Sequence, residues 1–206
     1  MLEVLRASPV ADTATAIITG IGRSGTSMVA AVASALGVNM GQSWAQALYE
    51  DEHFNWAITY HHHELRRQLS AERDVAYAHW GFKFPGLHNA LQPPELEQFR
   101  SPRLVICVRD AVAVTQSICK YEREPKVFLD VLDHVQLEQS LMLRFAKLAE
   151  VATILVSYEK CLAKPATFVL GLAAFLGLKP SEDTLQKAVL MVDPENTAYQ
   201  AVFNRS

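Results

Sequence analysis

The 206-residue sequence contains only three cysteines, Cys107, Cys119 and Cys161, and none of them forms a C-x-x-C pair. That arithmetic excludes a disulfide framework and a structural zinc finger, and it leads us to expect a reducing, cytoplasmic setting. Basic residues are not in surplus either: 19 Lys and Arg stand against 22 Asp and Glu, a formal charge of -3. No global field draws in nucleic acid or an anionic membrane, so no nucleic-acid partner is expected and any bound anion must be held by a local site. No stretch approaches the roughly 18 uninterrupted apolar residues of a membrane span, and the first fifteen residues, MLEVLRASPVADTAT, lack the basic head and apolar run of an export signal. Internal repeats and low-complexity tracts are also missing. What remains is an ordinary globular composition, with 50% hydrophobic, 20% charged and 9% aromatic residues. At this length such a chain buries roughly 70% of its unfolded surface, and residues 1–206 read as one domain.

Along the chain, short apolar runs alternate with helical patterns. Residues 15–20 (TAIITG), β-branched and bounded by glycine, predict a buried strand. Residues 25–36 (GTSMVAAVASAL), with Gly37 behind them, predict a helix with a glycine C-cap. Residues 44–69 are polar, aromatic and rich in His and Glu, which suits one or two helices on the surface or along a cleft. Further strands are expected at 75–84, 103–108 and 151–157, the second of these apolar on both faces like the centre of a parallel sheet. A short helix opened by Pro93 and Pro94, and longer ones at 110–121, 127–149, 168–176 and 181–191, fill the intervals. This alternation indicates a three-layer α/β/α fold around a mostly parallel sheet.

The segment Gly20 to Ser27 reads GIGRSGTS. It fits the phosphate-cradle frame G-x-x-x-x-G-K-[ST] at Gly20, Gly25 and Ser27, with Thr26 where the lysine should stand. Glycines at such a turn let backbone amides face an anion, and the helix beginning there adds its partial positive end. Arg23 can supply the missing cation, Gly22 the close approach, and Ser24, Thr26 and Ser27 hydroxyl donors. Without the lysine that bridges the β and γ phosphates, ATP or GTP hydrolysis is disfavoured. Asp110 is a poor magnesium ligand beside Arg109, and no metal is expected.

After the first strand, GIGRSGTS resembles the 5′-phosphosulfate loop of sulfotransferases, the enzymes that use 3′-phosphoadenosine 5′-phosphosulfate (PAPS). Three later segments agree in order: RLVICVRDAVAVTQS (103–117) is similar to the family's 3′-phosphate motif, VSYEKCLAKP (156–165) to its YE-x-L-x-x-x-P element, and FLGL (175–178) to its usual helix ending. The resemblance spans residues 16–178. It implies a P-loop-like sulfotransferase fold, PAPS as cofactor with the bisphosphate PAP as product, and a hydroxyl or amine acceptor that is a small molecule, carbohydrate or lipid. It also implies that Arg109 and Ser117 hold the 3′-phosphate, with the Arg109 fork leaving a strand at the carboxyl edge of the sheet.

Sulfuryl transfer moves a group with one formal negative charge, so side-chain cations suffice to neutralise the leaving phosphate. Arg23 is one candidate; Lys83, ending a strand at the same edge in GFKFPG, is the other. An alcohol acceptor needs a base. The animal cytosolic branch has a K-x-H histidine here, but this chain has Pro85. Glu50 in ALYEDEHF (47–54), similar to the GYFED stretch of bacterial members, is the expected base, with Asp51 and His53 as substitutes. The adenine-stacking tryptophan of that branch falls at Met28, leaving Tyr158 as either an adenine contact or a buried sheet-edge tyrosine, and Glu159 as a helix cap. His61, His62 and His63 point in three directions on one helix, so they do not all serve one metal and are expected to line a polar surface or a substrate cleft. Trp80 and Phe84 suit a pocket or a core equally well. The family's glycine-rich closing loop has no counterpart in DPENTAYQAVFNRS (193–206). The rival readings are a variant P-loop kinase or hydrolase, and a binding module that keeps the nucleotide pocket without transfer.

Overall fold

A computed structural model describes residues 2–7, 9, 11–42, 48–121 and 127–192. The predicted run of β-branched residues forms β2 (Ala14–Gly20), buried at every position, and α1 (Thr26–Ala35) follows it directly. Two helices, α2 (Glu52–Thr59) and α3 (His63–Ala76), precede β3 (His79–Lys83). A six-residue 3₁₀ helix, Pro93–Gln98, leads to β4 (Pro102–Val108), which is followed by α4 (Ala111–Tyr121), α5 (Phe128–Leu148) and β5 (Ala152–Ser157). The chain continues through α6 (Tyr158–Ala163), α7 (Pro165–Leu176) and α8 (Glu182–Leu190).

With β1 (Leu2–Arg6) included, the sheet has the order β1-β5-β4-β2-β3. All pairings are parallel except that of β1 with β5. Alternation along the strands sends side chains to two cores. Ala16, Ile18, Val105, Cys107 and Ile154 pack against α1, α7 and α8, whereas Ile17, Phe82, Leu104 and Ile106 pack against α2 and α5. The result is the expected helix–sheet–helix layering, with β2 and β4 side by side and their carboxyl ends at one edge.

Two boundaries differ from expectation, and two elements are unexpected. The strand expected at 75–84 is confined to 79–83, because the amphipathic pattern of α3 runs on through Ala76. The helix expected at 168–176 starts at Pro165, which suits a first helical turn. Neither β1 nor α6 was expected; β1 is exposed along four of its five residues and lacks the apolar alternation that marks a strand in sequence. Trp80 belongs to the core, edge-on to Phe54 at 5.5 Å. All three cysteines are free; Cys107 and Cys161 are buried, and burial pushes the Cys161 thiol up to about 12. No described helix is long and apolar enough to cross a membrane.

Candidate functional site

The loop between β2 and α1 turns on two left-handed residues, Arg23 at φ 68° and Gly25 at φ 94°. Gly25 has a second reason to be glycine: an added Cβ would lie 2.3 Å from the Tyr158 ring. Ser24 is fully buried, and its Oγ finds no hydrogen-bond partner among the described residues. Above Gly22 an added Cβ would meet nothing within 4 Å, so the cradle has open space on its outer side.

Sequence-predicted residues gather at two ends of this loop. At one end, Lys83 closes β3 with its side chain almost wholly buried, and its Nζ stands 2.8 Å from Glu50 Oε1 and donates to Ser27 Oγ at 3.0 Å. Removal from water pushes the Lys83 ammonium below the usual lysine range, and Glu50 opposes that shift. The strand end is tied down by Asn55, which donates from Nδ2 to the Lys83 carbonyl at 3.1 Å. Thr26, at the lysine position of the phosphate-cradle frame, is buried and presents no charge.

At the other end, Arg23 Nε donates to Ser117 Oγ at 2.9 Å, and Arg109 Nη1 donates to the Arg23 carbonyl at 3.0 Å. The Arg109 guanidinium lies over the Tyr158 ring, 4.6 Å from its centroid, and its Nε is buried without a hydrogen-bond partner. Gln139 of α5 donates to the Arg109 carbonyl at 2.8 Å. Arg109 therefore pairs with the loop and not with its neighbour Asp110. Asp110 instead caps α4 by accepting from the Ala113 amide, and its own amide donates to Glu159 Oε1. Arg23 thus sits beside Ser117 and Arg109, at the opposite end from the Lys83 cluster.

The substitutes for Glu50 serve the fold or the surface. Asp51 is buried; its carboxylate accepts from the Phe54 and Gln42 amides and from Arg73 Nη2 at 2.6 Å, so it caps α2 and anchors α3. His53 is exposed on α2. His61, His62 and His63 are exposed as well, with His62 stacked on Trp56. Among the described residues no group of three or more His, Cys, Asp or Glu gathers as a metal site. Sequence reasoning missed Asn55, Gln139 and Arg73, which act through contacts between distant elements. It also missed His88, whose Nε2 is 3.2 Å from Glu138 Oε2 and which helps pin the turn after β3 to α5. The segment 193–206 and residues 43–47, including Trp44, lie outside the described residues.

No protein-family model matches the chain, and no curated protein matches it in sequence. Solved structures do match in three dimensions. The sulfotransferase domain of the Synechococcus olefin synthase superposes with a TM-score of 0.61 at 14% identity, covering 95% of this chain and 86% of that one. The chain has the sulfotransferase fold. Within that fold, retinol dehydratase in complex with androsterone and PAP matches at TM-score 0.54 and 16% identity, covering 92% of this chain and 68% of that one. A sulfotransferase from Mycobacterium tuberculosis matches at 0.55 and 14%, covering 95% and 75%. Mouse sulfotransferase SULT7A1 complexed with PAP matches at 0.58 and 10%. This chain covers 89% of itself against that sulfotransferase but spans only 64% of its length.

Proposed function

We propose that this protein transfers the sulfuryl group of PAPS to a hydroxyl of a small-molecule acceptor. The observation that carries the reading is the Lys83–Ser27–Glu50 cluster: a buried ammonium, a loop hydroxyl and a half-exposed carboxylate meet where β3 reaches the cradle. The residues present fit an anionic nucleotide, because Ser24 Oγ and Arg109 Nε are buried polar atoms awaiting an acceptor and the space over Gly22 is open. PAP accompanies retinol dehydratase and the mouse sulfotransferase of the same fold.

When bound, PAPS supplies an activated sulfur whose bond to the 5′-phosphate oxygen breaks as the acceptor oxygen bonds to it. The chain's own groups do the rest. Glu50 takes the proton of the acceptor hydroxyl. Lys83 offers positive charge at the end of the cradle where the 5′-phosphate oxygen is left with extra electron density, and a fixed, dehydrated cation acts strongly there. Ser27 keeps the ammonium aimed at the loop. Arg109 and Ser117 hold the 3′-phosphate, and Arg23, joined to both, connects the two phosphate positions. Tyr158 supports the Arg109 plane.

The test is thermal. Adenosine 3′,5′-bisphosphate should raise the melting temperature without added magnesium, by about 2.7 kcal/mol of stabilisation at a hundredfold excess over Kd, and Arg109→Ala should remove most of that rise. An unchanged rise takes Arg109 out of the site. Release of bisphosphate from PAPS over a panel of hydroxyl acceptors then separates a transferase from a binding module, which would bind without turnover.

A further inference from the structure

The peptide unit that joins Arg109 to Asp110 is gripped at both of its polar ends by side chains from two different helices. Its carbonyl, that of Arg109, accepts from Gln139 Nε2 of α5 at 2.8 Å, and its amide, that of Asp110, donates to Glu159 Oε1 of α6 at 2.9 Å. A peptide unit is planar, so a bond at each end fixes its rotation about the chain where one bond would leave it a swivel.

The local sequence explains why a carboxylate from elsewhere is needed. Asp110 is the N-cap of α4: its Oδ1 accepts from the Ala113 amide and its carbonyl from the Val114 amide. In a capping box the third helical residue is Glu or Gln, and its side chain returns to the N-cap amide. That place is held by Ala113, which has no such group, and Glu159, 49 residues away, bonds the amide instead. The last ladder pair of β4 is Val108 with Ser157, so Arg109 already stands beyond the sheet and depends on these two side chains for its backbone direction. From that backbone its guanidinium reaches the Arg23 carbonyl at 3.0 Å and covers the Tyr158 ring at 4.6 Å. Arg23 is itself left-handed, at φ 68°. Turning the 109–110 plane would therefore swing the guanidinium and loosen the loop together.

We propose that Gln139 and Glu159 are positioning residues that aim the Arg109 guanidinium at the 3′-phosphate of the nucleotide. The proposal rests on the sulfuryl-transfer reading above, in which Arg109 holds that phosphate. Both residues act through the backbone. A carboxylate such as Glu159 would repel a phosphate it touched, and it favours binding only by orienting the cation that does the touching. A guanidinium fork recognises phosphate oxygens by direction as well as charge, so its gain depends on the angle at which it is presented.

Calorimetric titration of the full chain with adenosine 3′,5′-bisphosphate and with adenosine 5′-monophosphate, which lacks the 3′-phosphate, tests this. Gln139→Met removes the donor and Glu159→Met the acceptor, each at similar length. Glu159 is exposed and Gln139 half-buried, so neither change opens the core. Each variant should bind the bisphosphate about fivefold more weakly, the order of one lost hydrogen bond, and the monophosphate within about twofold of the unmodified protein. Glu159→Gln keeps an oxygen that accepts from the Asp110 amide and should restore bisphosphate affinity. Hydrogen exchange gives a ligand-free reading of the same bond: the Asp110 amide should exchange about fivefold faster in Glu159→Met and at the original rate in Glu159→Gln. Equal weakening of both nucleotides would reduce the two residues to general supports and overturn the proposal. So would unaltered bisphosphate affinity in both methionine variants, an Asp110 amide indifferent to Glu159→Met, or a glutamine variant that behaves like the methionine one. The underlying reading fails separately, in the unmodified protein: if that binds neither nucleotide, or favours the bisphosphate no more than the monophosphate, Arg109 holds no 3′-phosphate and the positioning role falls with it.

Discussion

The two ends of the glycine loop hold cations in opposite ways. At the β3 end, Lys83 is buried and already faces a carboxylate, so its charge is balanced before any ligand arrives. At the β4 end, Arg109 is fixed by a backbone carbonyl and an aromatic face, neither of which neutralises a full charge, and one of its nitrogens has no acceptor. A balanced pair suits proton transfer and a transient change of charge; an arginine fork positioned by neutral partners suits standing recognition of a dianion. On the proposed reading one loop separates chemistry from binding by what surrounds each cation, and variants at the two ends should fail differently.

The largest effect is expected at the β3 end. Glu50→Gln should lower kcat by about 10²-fold or more with little change in bisphosphate affinity, in line with removal of a general base. Lys83→Met should lower kcat comparably while leaving the melting temperature unchanged or raised, because replacing one buried ion with an apolar chain relieves its desolvation and leaves Glu50 partly hydrated. A lowered melting temperature with full turnover would reverse that assignment. At the β4 end, Arg109→Ala should act mainly on KM for PAPS, by about tenfold or more, with a smaller change in kcat. If both ends changed only kcat, the division of labour would be wrong.

A smaller effect tests the joint between the ends. Gly25→Ala meets both the Tyr158 ring and a left-handed backbone, and should cost about 1–3 kcal/mol, seen as a melting temperature several degrees lower. Adding Tyr158→Ala should restore only part of this, since the backbone term remains. The smallest effect concerns pH. Burial lowers the Lys83 pKa, so between that lowered value and 10.5 the unfolded chain binds more protons than the folded one, and stability rises with pH across that window. The melting-temperature difference between the unmodified protein and Lys83→Met should therefore shift in favour of the unmodified protein as pH climbs toward 10.5, and a flat difference would show that the buried ammonium carries no such penalty.

Much of this was readable in advance where residue type and local geometry coincide. The apolar β-branched runs at β2, β4 and β5 and the glycine frame after β2 announce a buried parallel sheet with a strand-to-helix glycine turn at its carboxyl edge. Lys83 was legible because a strand that stops at Pro85 leaves its last side chain at that same edge. Edge strand β1 was not, since its pairing with β5 is decided by backbone hydrogen bonds that leave LEVLR largely exposed. The roles of Asp51 and Glu50 were not separable either: adjacent carboxylates look alike in sequence, and Asp51 is drawn into the fold by the Phe54 and Gln42 amides and by Arg73, 22 residues away on α3. The direction of Arg23 depends on Ser117 across 94 residues, a separation no local pattern encodes.

Asp51 has a wider consequence. By clasping two amides and a guanidinium it acts as a rivet beneath the proposed base, and because a Cβ at Gly41 would run into that carboxylate, the rivet also fixes which residue can stand there. A scaffold arranged this way shares one fastening between two helices and the residue proposed as base, so loosening Asp51 would disturb the neighbouring Glu50 and the seating of α3 together.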